Sequence, residues 1–310
     1  DNLIDYVIAE VFLANTDWPL NNVRKWRPRH TNGKWRWIPY DLDGILGVLN
    51  QSPSEDTFRE KILSFTHLNR AVFIEIIQKI LAEEIGRQHF AHRFTTHMQT
   101  TLSEELILRA IDSKQTALMP EMARHIDRWR MDPAVTDNKK NEEKWSMPTQ
   151  NINEWLKEVQ KLRDYATVRH AHVWEHLRTD LDLGLPATLQ IDAAKPWLLD
   201  VKVEGLSMPK NGNKWAAKFF TNLPMQLSLR LGKGWRLVGW ENNAGPDENG
   251  RFTLTGNTTL RPNFVFDPNP DLRPLIRSIN IMKGNQLRIV FLGIAEQTHH
   301  IETSTDLTKW

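Results

Sequence analysis

Three polar residues near the start of the chain have the types and order that phosphoryl transfer needs. Asp17 is followed five residues later by Asn22, and Asp41 comes after a predicted β-hairpin. One carboxylate can accept the proton of a substrate hydroxyl, while an amide oxygen and a second carboxylate can hold the Mg²⁺ ions that bridge the phosphates of ATP. Oxygen donors suit Mg²⁺, and the chain has no cysteine that could offer a thiolate.

Both spacings are short and recur by chance, so a second interpretation stands beside the first. Asp17 and Asn15 have side chains that cap helices, and Asp41 with Asp43 has the composition of a turn. The residues alone leave both interpretations open.

The elements around these residues are predicted from periodicity. An apolar stripe at helical spacing predicts a first helix over about residues 2–14, and alternation predicts strands over 23–26 and 35–40. Asn32-Gly33 between the strands favours a tight turn with positive φ. Residues 55–130 are predicted to be mainly helical, with an apolar face on one helix and Ser103 as the cap of another. That face is formed by Phe73, Ile76, Ile77, Ile80 and Leu81.

A polar loop is predicted over 132–150 and a last long helix over about 151–180, starting at Asn151 or Asn153. From residue 186 the pattern changes to short alternating runs separated by Gly, Asn and Pro. These runs predict strands over 189–193, 199–203, 215–219, 225–231, 236–240 and 258–266. We therefore predict an α+β multidomain chain with boundaries near 185 and 270: a mainly helical lobe over 1–184 that carries the hairpin, a small β-sandwich-like domain over 186–268, and a truncated β module over 271–310.

Composition limits the function classes. The 310 residues carry a formal net charge of +2, which removes the usual electrostatic argument for a nucleic-acid partner. No apolar run approaches the roughly 20 residues that a membrane-spanning helix needs. The chain starts without Met and ends inside a predicted β module, so we expect it to be part of a longer protein.

A metal-hydrolase motif provides a minor alternative. His172, Glu175 and His176 fit the His-x-x-Glu-His pattern, in which two imidazoles on one helical face bind zinc and the Glu acts as base. The competing interpretation is a solvated helix end, since histidines are favourable near the negative end of the helix dipole. His89 and His92 are predicted to be surface histidines.

The first half of the chain resembles the CotH kinase family of spore-coat proteins. The resemblance rests on the run Asn2-Leu3-Ile4-Asp5-Tyr6, the segment from Asn15 to Asn22, the segment from Gly33 to Gly44, and the run Arg124-His125-Ile126-Asp127-Arg128-Trp129. It covers about residues 1–184. Taken together the motifs are specific: a helix, Asn-x-Asp-x-x-x-Asn-Asn, a hairpin, and then an aromatic residue followed by Asp-x-Asp-Gly.

The resemblance implies a protein-kinase-like carboxyl-terminal lobe that uses ATP with Mg²⁺ or Mn²⁺ to phosphorylate Ser or Thr of extracytoplasmic or spore-surface proteins. It implies that Asp17 is the catalytic residue and that Asn22, with Asn21 as an alternative, binds metal and nucleotide. Asp41 matches the metal-binding Asp, and Asp43 completes the pair. We favour Asp41 for the larger role because it is predicted to follow the strand directly. The nucleotide-anchoring lobe is expected to precede residue 1, so these residues alone are expected to have little or no activity.

The second half has a weaker resemblance to Gly-Trp-rich β repeats of bacterial surface proteins, carried by Lys214-Trp215, the run from Gly234 to Trp240, and Asn263-Phe264. Residues 287–310 resemble the opening of another secreted β module. Both resemblances imply an extracytoplasmic, bacterial location and leave room for a surface ligand. The main alternative to the enzyme is therefore an inactive pseudokinase within a secreted adhesion or binding protein.

Overall fold

The computed structural model describes residues 1–67, 69–129, 149–194, 199–232 and 234–266, together with the backbone of two strands at 275–281 and 287–292. It contains helices and several small sheets, which confirms the predicted α+β class. The chain divides into two compact units. The helical unit comprises Asp1–Ala187, Ala217–Met225 and Thr253–Gly256, and the β unit comprises Thr188–Ala216, Gln226–Phe252 and Asn257–Trp310. No helix in the described part is long and apolar enough to cross a membrane.

Five α-helices and one turn of π-helix, Arg59–Leu63, make up most of the helical unit. The α-helices are α1 Asn2–Leu13, α2 Val72–Ala82, α3 Glu84–Gln99, α4 Glu104–Trp129 and α5 Ile152–Asp180. The start of α5 matches the sequence prediction, because the Asn151 side chain accepts a hydrogen bond of 3.0 Å from the Glu154 N–H. Ser103 likewise precedes α4 and accepts from the Leu106 N–H at 3.4 Å.

Helix α1 lies in the centre of the core of the helical unit. Its apolar stripe is buried as the periodicity predicts, but Tyr6 and Glu10 are buried as well, at 3% and 0% exposure. The helix is therefore enclosed on more than one side. Helix α3 contributes Phe90 and Phe94 to the same core. The predicted face of α2 is correct except that Ile74 is buried and Ile76 is 43% exposed.

Two ion pairs tie α3 to α1. Arg93, itself buried, donates to both carboxylate oxygens of Asp5 at 2.8 and 2.7 Å, and His97 contacts the same carboxylate at 3.0 Å. Burial acts to raise the pKa of Asp5, but the bonds from His97 and Arg93 outweigh it and lower that pKa. The prediction that His92 is a surface residue is wrong. Its ring is fully buried against Phe219, and its Nε2 lies 3.1 Å from the Pro224 carbonyl.

The hairpin in the first half is formed by β1 Arg24–Trp26 and β2 Arg36–Ile38, paired antiparallel with Lys25 opposite Trp37. The prediction of a tight turn at Asn32-Gly33 is wrong, since nine residues connect the strands and neither residue has positive φ. The local turn closes instead through the Gly33 N–H and the His30 carbonyl at 3.0 Å. Gly33 is needed for space, because a Cβ there would lie 2.3 Å from the Pro28 carbonyl oxygen.

Each of the six runs predicted between residues 189 and 266 contains a strand, and the last run is divided into two strands. Three further short strands, at 206–207, 210–211 and 251–253, were not predicted. They are β3 Pro186–Asp192, β4 Leu199–Val203, β5 Leu206–Ser207, β6 Lys210–Asn211, β7 Lys214–Phe220, β8 Pro224–Leu231, β9 Trp235–Trp240, β10 Arg251–Thr253, β11 Thr258–Leu260, β12 Pro262–Phe266, β13 Leu275–Ile281 and β14 Leu287–Leu292. They form two four-stranded sheets, β10-β8-β4-β5 and β11-β3-β7-β6, and two antiparallel pairs, β12-β9 and β13-β14. Most of the predicted loop over 132–150, the predicted linker at 267–270 and most of the predicted last module lie outside the described residues.

Candidate active site

The turn that carries Asp17 follows directly from the way α1 ends. Ala14 has left-handed backbone angles, and the Asn15 N–H reaches back to the Glu10 carbonyl at 3.1 Å, an arrangement that terminates a helix. The next residues form a turn in which the Asn21 N–H donates to the Asp17 carbonyl at 3.0 Å. No regular helix begins here, so the helix-cap interpretation of Asp17 does not apply. The Asp17 side chain is exposed.

The hairpin then brings the second carboxylate segment back to this turn. The Thr16 N–H donates to the Gly44 carbonyl at 3.3 Å, and the Leu46 N–H donates to the Leu13 carbonyl at 2.9 Å. Asp17 follows Thr16 and Asp43 precedes Gly44, so the bond between Thr16 and Gly44 holds the backbones of the two aspartates close together. The approach is close enough to require glycine, since a Cβ on Gly44 would lie 2.7 Å from the Thr16 hydroxyl oxygen.

Asn22 and Asp41 stand at the two ends of the hairpin. Both have positive φ, 58° and 57°, a backbone conformation that Asn and Asp tolerate better than most residues. The prediction that Asp41 directly follows the strand is wrong. Strand β2 ends at Ile38, and two residues, Pro39 and Tyr40, lie between its end and Asp41. The reason for preferring Asp41 over Asp43 is therefore lost, and Asp43 has the closer backbone connection to the Asp17 turn.

The chemistry of these side chains fits a hard divalent cation. Asp41 and Asp43 are exposed, Asn22 is half-buried, and none of the three side chains bonds to another described residue. Their oxygens are of the kind that Mg²⁺ prefers. Across the described ranges, no three His, Asp or Glu side chains are arranged to hold a metal by themselves. A cation here would share its coordination with the Asn22 amide, water and nucleotide phosphates, as Mg²⁺ commonly does.

Buried hydrogen bonds, which the sequence analysis did not predict, join the Asp17 turn to helix α1. Glu10 accepts a hydrogen bond of 2.8 Å from the Asn15 side chain, and the indole N–H of Trp18 donates to the Tyr6 hydroxyl at 2.9 Å. Burial raises the pKa of Glu10 from 4.5 to about 7, although the bonds from Asn15 and Tyr6 act to lower it. Asn15 and Trp18 flank Asp17 in sequence, so this network fixes the backbone on both sides of it.

Arg169 of α5 joins the end of α1 to the segment around residues 53–57. Its buried guanidinium donates to the carbonyls of Val11, Phe12, Pro53 and Glu55 at 2.7–3.1 Å and to the Thr57 hydroxyl at 3.1 Å. These acceptors are all neutral, and no carboxylate among the described residues forms an ion pair with Arg169. One turn earlier, Tyr165 packs with Ala14 and Leu46. Helix α5 therefore holds both segments of the site in place.

Lys61 places a positive charge beside the turn. Its Nζ donates to the Thr16 carbonyl at 3.3 Å and lies 3.1 Å from a Glu60 carboxylate oxygen. The side chain is 19% exposed and belongs to the π-helical turn. No sequence pattern pointed to Lys61, because residue 61 is far from the Asp-x-x-x-x-Asn motif. Asn15 is the first residue of the longer Asn-x-Asp-x-x-x-Asn-Asn motif, but no motif includes its buried partner Glu10, which lies within the apolar first helix.

The residues of the alternative zinc motif are engaged differently. The Glu175 carboxylate is bound by Arg178 of the same helix through two hydrogen bonds, of 2.9 and 2.6 Å. The rings of His172 and His176 stack with their centroids 6.3 Å apart, and His176 Nδ1 lies 3.8 Å from Asp56. The carboxylate that would act as base is thus directed to an arginine, which argues against zinc hydrolysis.

Comparison with known proteins gives one match. A family model described as CotH kinase protein matches residues 1–173, more than half of the chain. The match includes Asp17, Asn22, Asp41 and Asp43, together with the helix and hairpin that position them. No curated protein and no solved structure matches the chain at a significant level.

Proposed function

The chain belongs to the CotH kinase family, and from that premise we propose that it transfers the γ-phosphate of ATP to a Ser or Thr hydroxyl of an extracytoplasmic or surface protein. The family supports a kinase-like phosphotransferase that uses ATP, a divalent metal and a protein substrate. The observation that carries the finer proposal is the hydrogen bond between Thr16 and Gly44, because it joins the Asp17 turn to the Asp41–Asp43 loop.

In the proposed reaction Asp17 acts as the general base. Its exposed carboxylate orients the substrate hydroxyl and accepts its proton as the hydroxyl oxygen bonds to the γ-phosphorus. The bond from that phosphorus to the β–γ bridging oxygen breaks at the same time, and ADP leaves. The buried network of Glu10, Asn15, Tyr6 and Trp18 keeps the Asp17 backbone in one position, which lowers the entropic cost of aligning the hydroxyl.

Asn22, Asp41 and Asp43 are the proposed ligands of Mg²⁺ or Mn²⁺. When bound, such an ion neutralises the charge of the transferring phosphates. The role of these side chains is to bind it between the two ends of the hairpin. Asp43 is next to Gly44, whose carbonyl is bonded to Thr16, so a cation held by Asp43 would have a defined position relative to Asp17. Asn22 and Asp41 would add ligands from the two ends of the hairpin.

The direct test is phosphotransfer by the protein at its full natural length, with labelled ATP and Mg²⁺ or Mn²⁺ and a mixture of Ser- and Thr-containing proteins. Asp17→Asn keeps the size of the side chain and removes the base, so we expect a loss of at least about 100-fold in kcat. The matched control is Asp164→Asn on the exposed surface of α5. Equal activity of Asp17→Asn and the unchanged protein would exclude Asp17 as the base, and an inactive parent protein would favour the pseudokinase alternative.

The metal ligands need variants that respect the backbone. At positive φ an alanine adds strain, so Asp41→Ala combines loss of a ligand with loss of stability. Asp41→Asn and Asn22→Gly tolerate the left-handed conformation and remove only the charge or the amide. We expect each to weaken Mg²⁺-dependent nucleotide binding by about tenfold or more without lowering the unfolding midpoint. Asp43→Asn, measured beside them, shows which carboxylate contributes more, and unchanged affinity in all three would contradict the assignment.

The extracytoplasmic location is a separate part of the proposal. It is supported by the series of short strands that follows the kinase-like region and by its Gly-Trp-rich sequence. Protease treatment of intact cells tests it, because a surface protein is cleaved under conditions that leave cytoplasmic markers intact.

A further inference from the structure

The hairpin between Asn22 and Asp41 carries a local charge that differs from the rest of the chain. Residues 24–40, here named the basic hairpin, contain six Lys or Arg residues and no Asp or Glu. All six cations are exposed, and none forms an ion pair with another described residue. Because the whole chain has a net charge of only +2, the sequence outside the hairpin is net acidic. Within the described part of the chain, no ion pair therefore balances the charge on the hairpin.

The same segment exposes large apolar side chains. Trp26, Trp35, Ile38 and Tyr40 are 44–51% exposed. The cations lie over two of the rings: Arg24 is 4.5 Å from the centre of Tyr40, and Lys25 and Arg27 are 5.3 and 5.1 Å from the centre of Trp35. Successive side chains of a strand point to opposite faces, so Arg24 lies on one face of the hairpin, and Lys25 and Arg27, which share Trp35, lie on the other. The ring contacts leave the ammonium and guanidinium hydrogens available.

One edge of the hairpin is closed and the other is open. The Asn2 side chain accepts from the Trp37 N–H at 2.7 Å and donates to the Trp37 carbonyl at 3.3 Å, which covers the outer edge of β2. Both backbone groups of Trp37 face Asn2, so Lys25 and Trp37 form a non-hydrogen-bonded antiparallel pair, in which the two residues exchange no backbone hydrogen bonds. The Lys25 N–H and carbonyl therefore point outward from β1, where no other described segment bonds to them.

We propose that an acidic, extended segment of the substrate protein binds as an added strand along β1, with its carboxylates on Arg24, Lys25 and Arg27. This inference rests on the proposed function and specifies its substrate class: Ser or Thr next to Asp and Glu. An open strand edge provides main-chain hydrogen bonds, and the flanking cations select the sequence. β1 begins two residues after Asn22, so a segment bound there continues into the Asp17 turn.

A protein segment fits this surface better than a nucleic acid does. Strand addition uses the unpaired backbone groups of Lys25, which a nucleic acid has no complementary backbone to match. Base stacking needs uncovered aromatic faces, and Trp35 and Tyr40 already have cations over them. A long polyanion would also meet the net acidic remainder of the chain, whereas a short acidic segment is confined to the hairpin.

Binding is tested without ATP, so that its result does not depend on catalysis. The probe is a short fluorescent peptide of repeated Glu-Glu-Ser, which presents carboxylates on both faces of an added strand. Its binding to the full-length protein is measured by anisotropy. We expect the triple variant Arg24→Gln, Lys25→Gln, Arg27→Gln to bind about tenfold more weakly, since each exposed charge pair contributes little alone. The matched control, Lys79→Gln, Lys114→Gln, Lys157→Gln, removes three exposed cations from α2, α4 and α5 and should bind as the unchanged protein does.

Two further probes need no variant and exclude misfolding as an explanation. The same peptide with alternate backbone nitrogens methylated keeps its charge but cannot pair with a strand edge, and we expect it to bind more weakly. An oligouridylate of equal charge is expected to bind less tightly than the peptide. Equal affinity of the triple variant, equal affinity of the methylated peptide, or tighter binding of the oligouridylate would each overturn the proposal.

Phosphotransfer separates this inference from the proposed function. Peptide binding that depends on the hairpin, in a protein that transfers no phosphate, would refute the kinase proposal and support the docking surface. Phosphorylation of the acidic peptide at equal rates by the triple variant and the unchanged protein would refute the docking surface and support the kinase.

Discussion

Glu10 offers the most quantitative check on how the Asp17 turn is supported. Its carboxyl is fully buried, and burial raises its pKa from 4.5 to about 7. Below pH 4.5 the group is neutral in both the folded and the unfolded protein. As the pH rises from 4.5 to 7 the unfolded protein loses this proton and the folded protein retains it, so stability falls over this range. Above pH 7 both states are ionised, and the full cost of about 3 kcal/mol is present, at 1.36 kcal/mol for each pKa unit.

Glu10→Gln removes this titration while keeping the side-chain shape and an oxygen that can accept from Asn15. Other groups titrate alike in both proteins, so the difference between their unfolding free energies isolates Glu10. We expect the unchanged protein to lose about 3 kcal/mol relative to the variant between about pH 4.5 and pH 8. Urea unfolding, followed by far-ultraviolet circular dichroism at several pH values, measures this difference.

Two observations accompany that experiment. The matched control is Glu158→Gln, which makes the same substitution at a carboxylate with 57% exposure on α5. A ¹³C carboxyl resonance that titrates near pH 7 and is missing from Glu10→Gln would identify the group directly. If the unfolding free energies of Glu10→Gln and the unchanged protein changed equally with pH, the claim that buried Glu10 destabilises the folded protein when it ionises would be refuted.

The remaining predictions concern the two contacts that hold the site together. Arg169→Met leaves several buried carbonyl groups without a donor, so we expect about 3 kcal/mol of destabilisation in urea; a change below about 0.5 kcal/mol would contradict the role given to Arg169. Gly44→Ala forces a Cβ to within 2.7 Å of the Thr16 hydroxyl and should reduce phosphotransfer. Adding Thr16→Ala removes that oxygen, and recovery of activity in the double variant, compared with each single variant, measures the coupling.

Several features of the site were predictable because local sequence determines them. The apolar stripe of α1 and the alternating segments at 23–26 and 35–40 placed the helix and the hairpin correctly. Of the two predicted starts of the last helix, Asn151 and Asn153, the first is the cap, and its side chain bonds within its own turn. These elements depend on contacts between residues close in sequence.

The parts that were missed depend on contacts distant in sequence. Glu10 lies outside the apolar stripe that predicted α1, and only the enclosure of α1 by other helices shows that it is buried. His92 is buried because β7 and β8 bring Phe219 and Pro224 against α3, more than 120 residues later in the chain. Asn32-Gly33 has the composition of a tight turn, but the spacing set by the Lys25–Trp37 pairing leaves nine residues to connect the strands.

The hydrogen bonds between the Asn2 side chain and the Trp37 backbone fix the position of the hairpin. That position therefore does not depend on the length of the loop between its two strands. Asn2 fixes β2 to the start of α1, and the Thr16–Gly44 bond fixes the segment that follows β2. Changes in length around His30–Gly33 therefore do not shift Asn22, Asp41 or Asp43, and doubling a loop costs only about 0.6 kcal/mol of closure entropy. This segment is therefore a position at which a tag or recognition loop can be introduced without altering the geometry of the candidate active site.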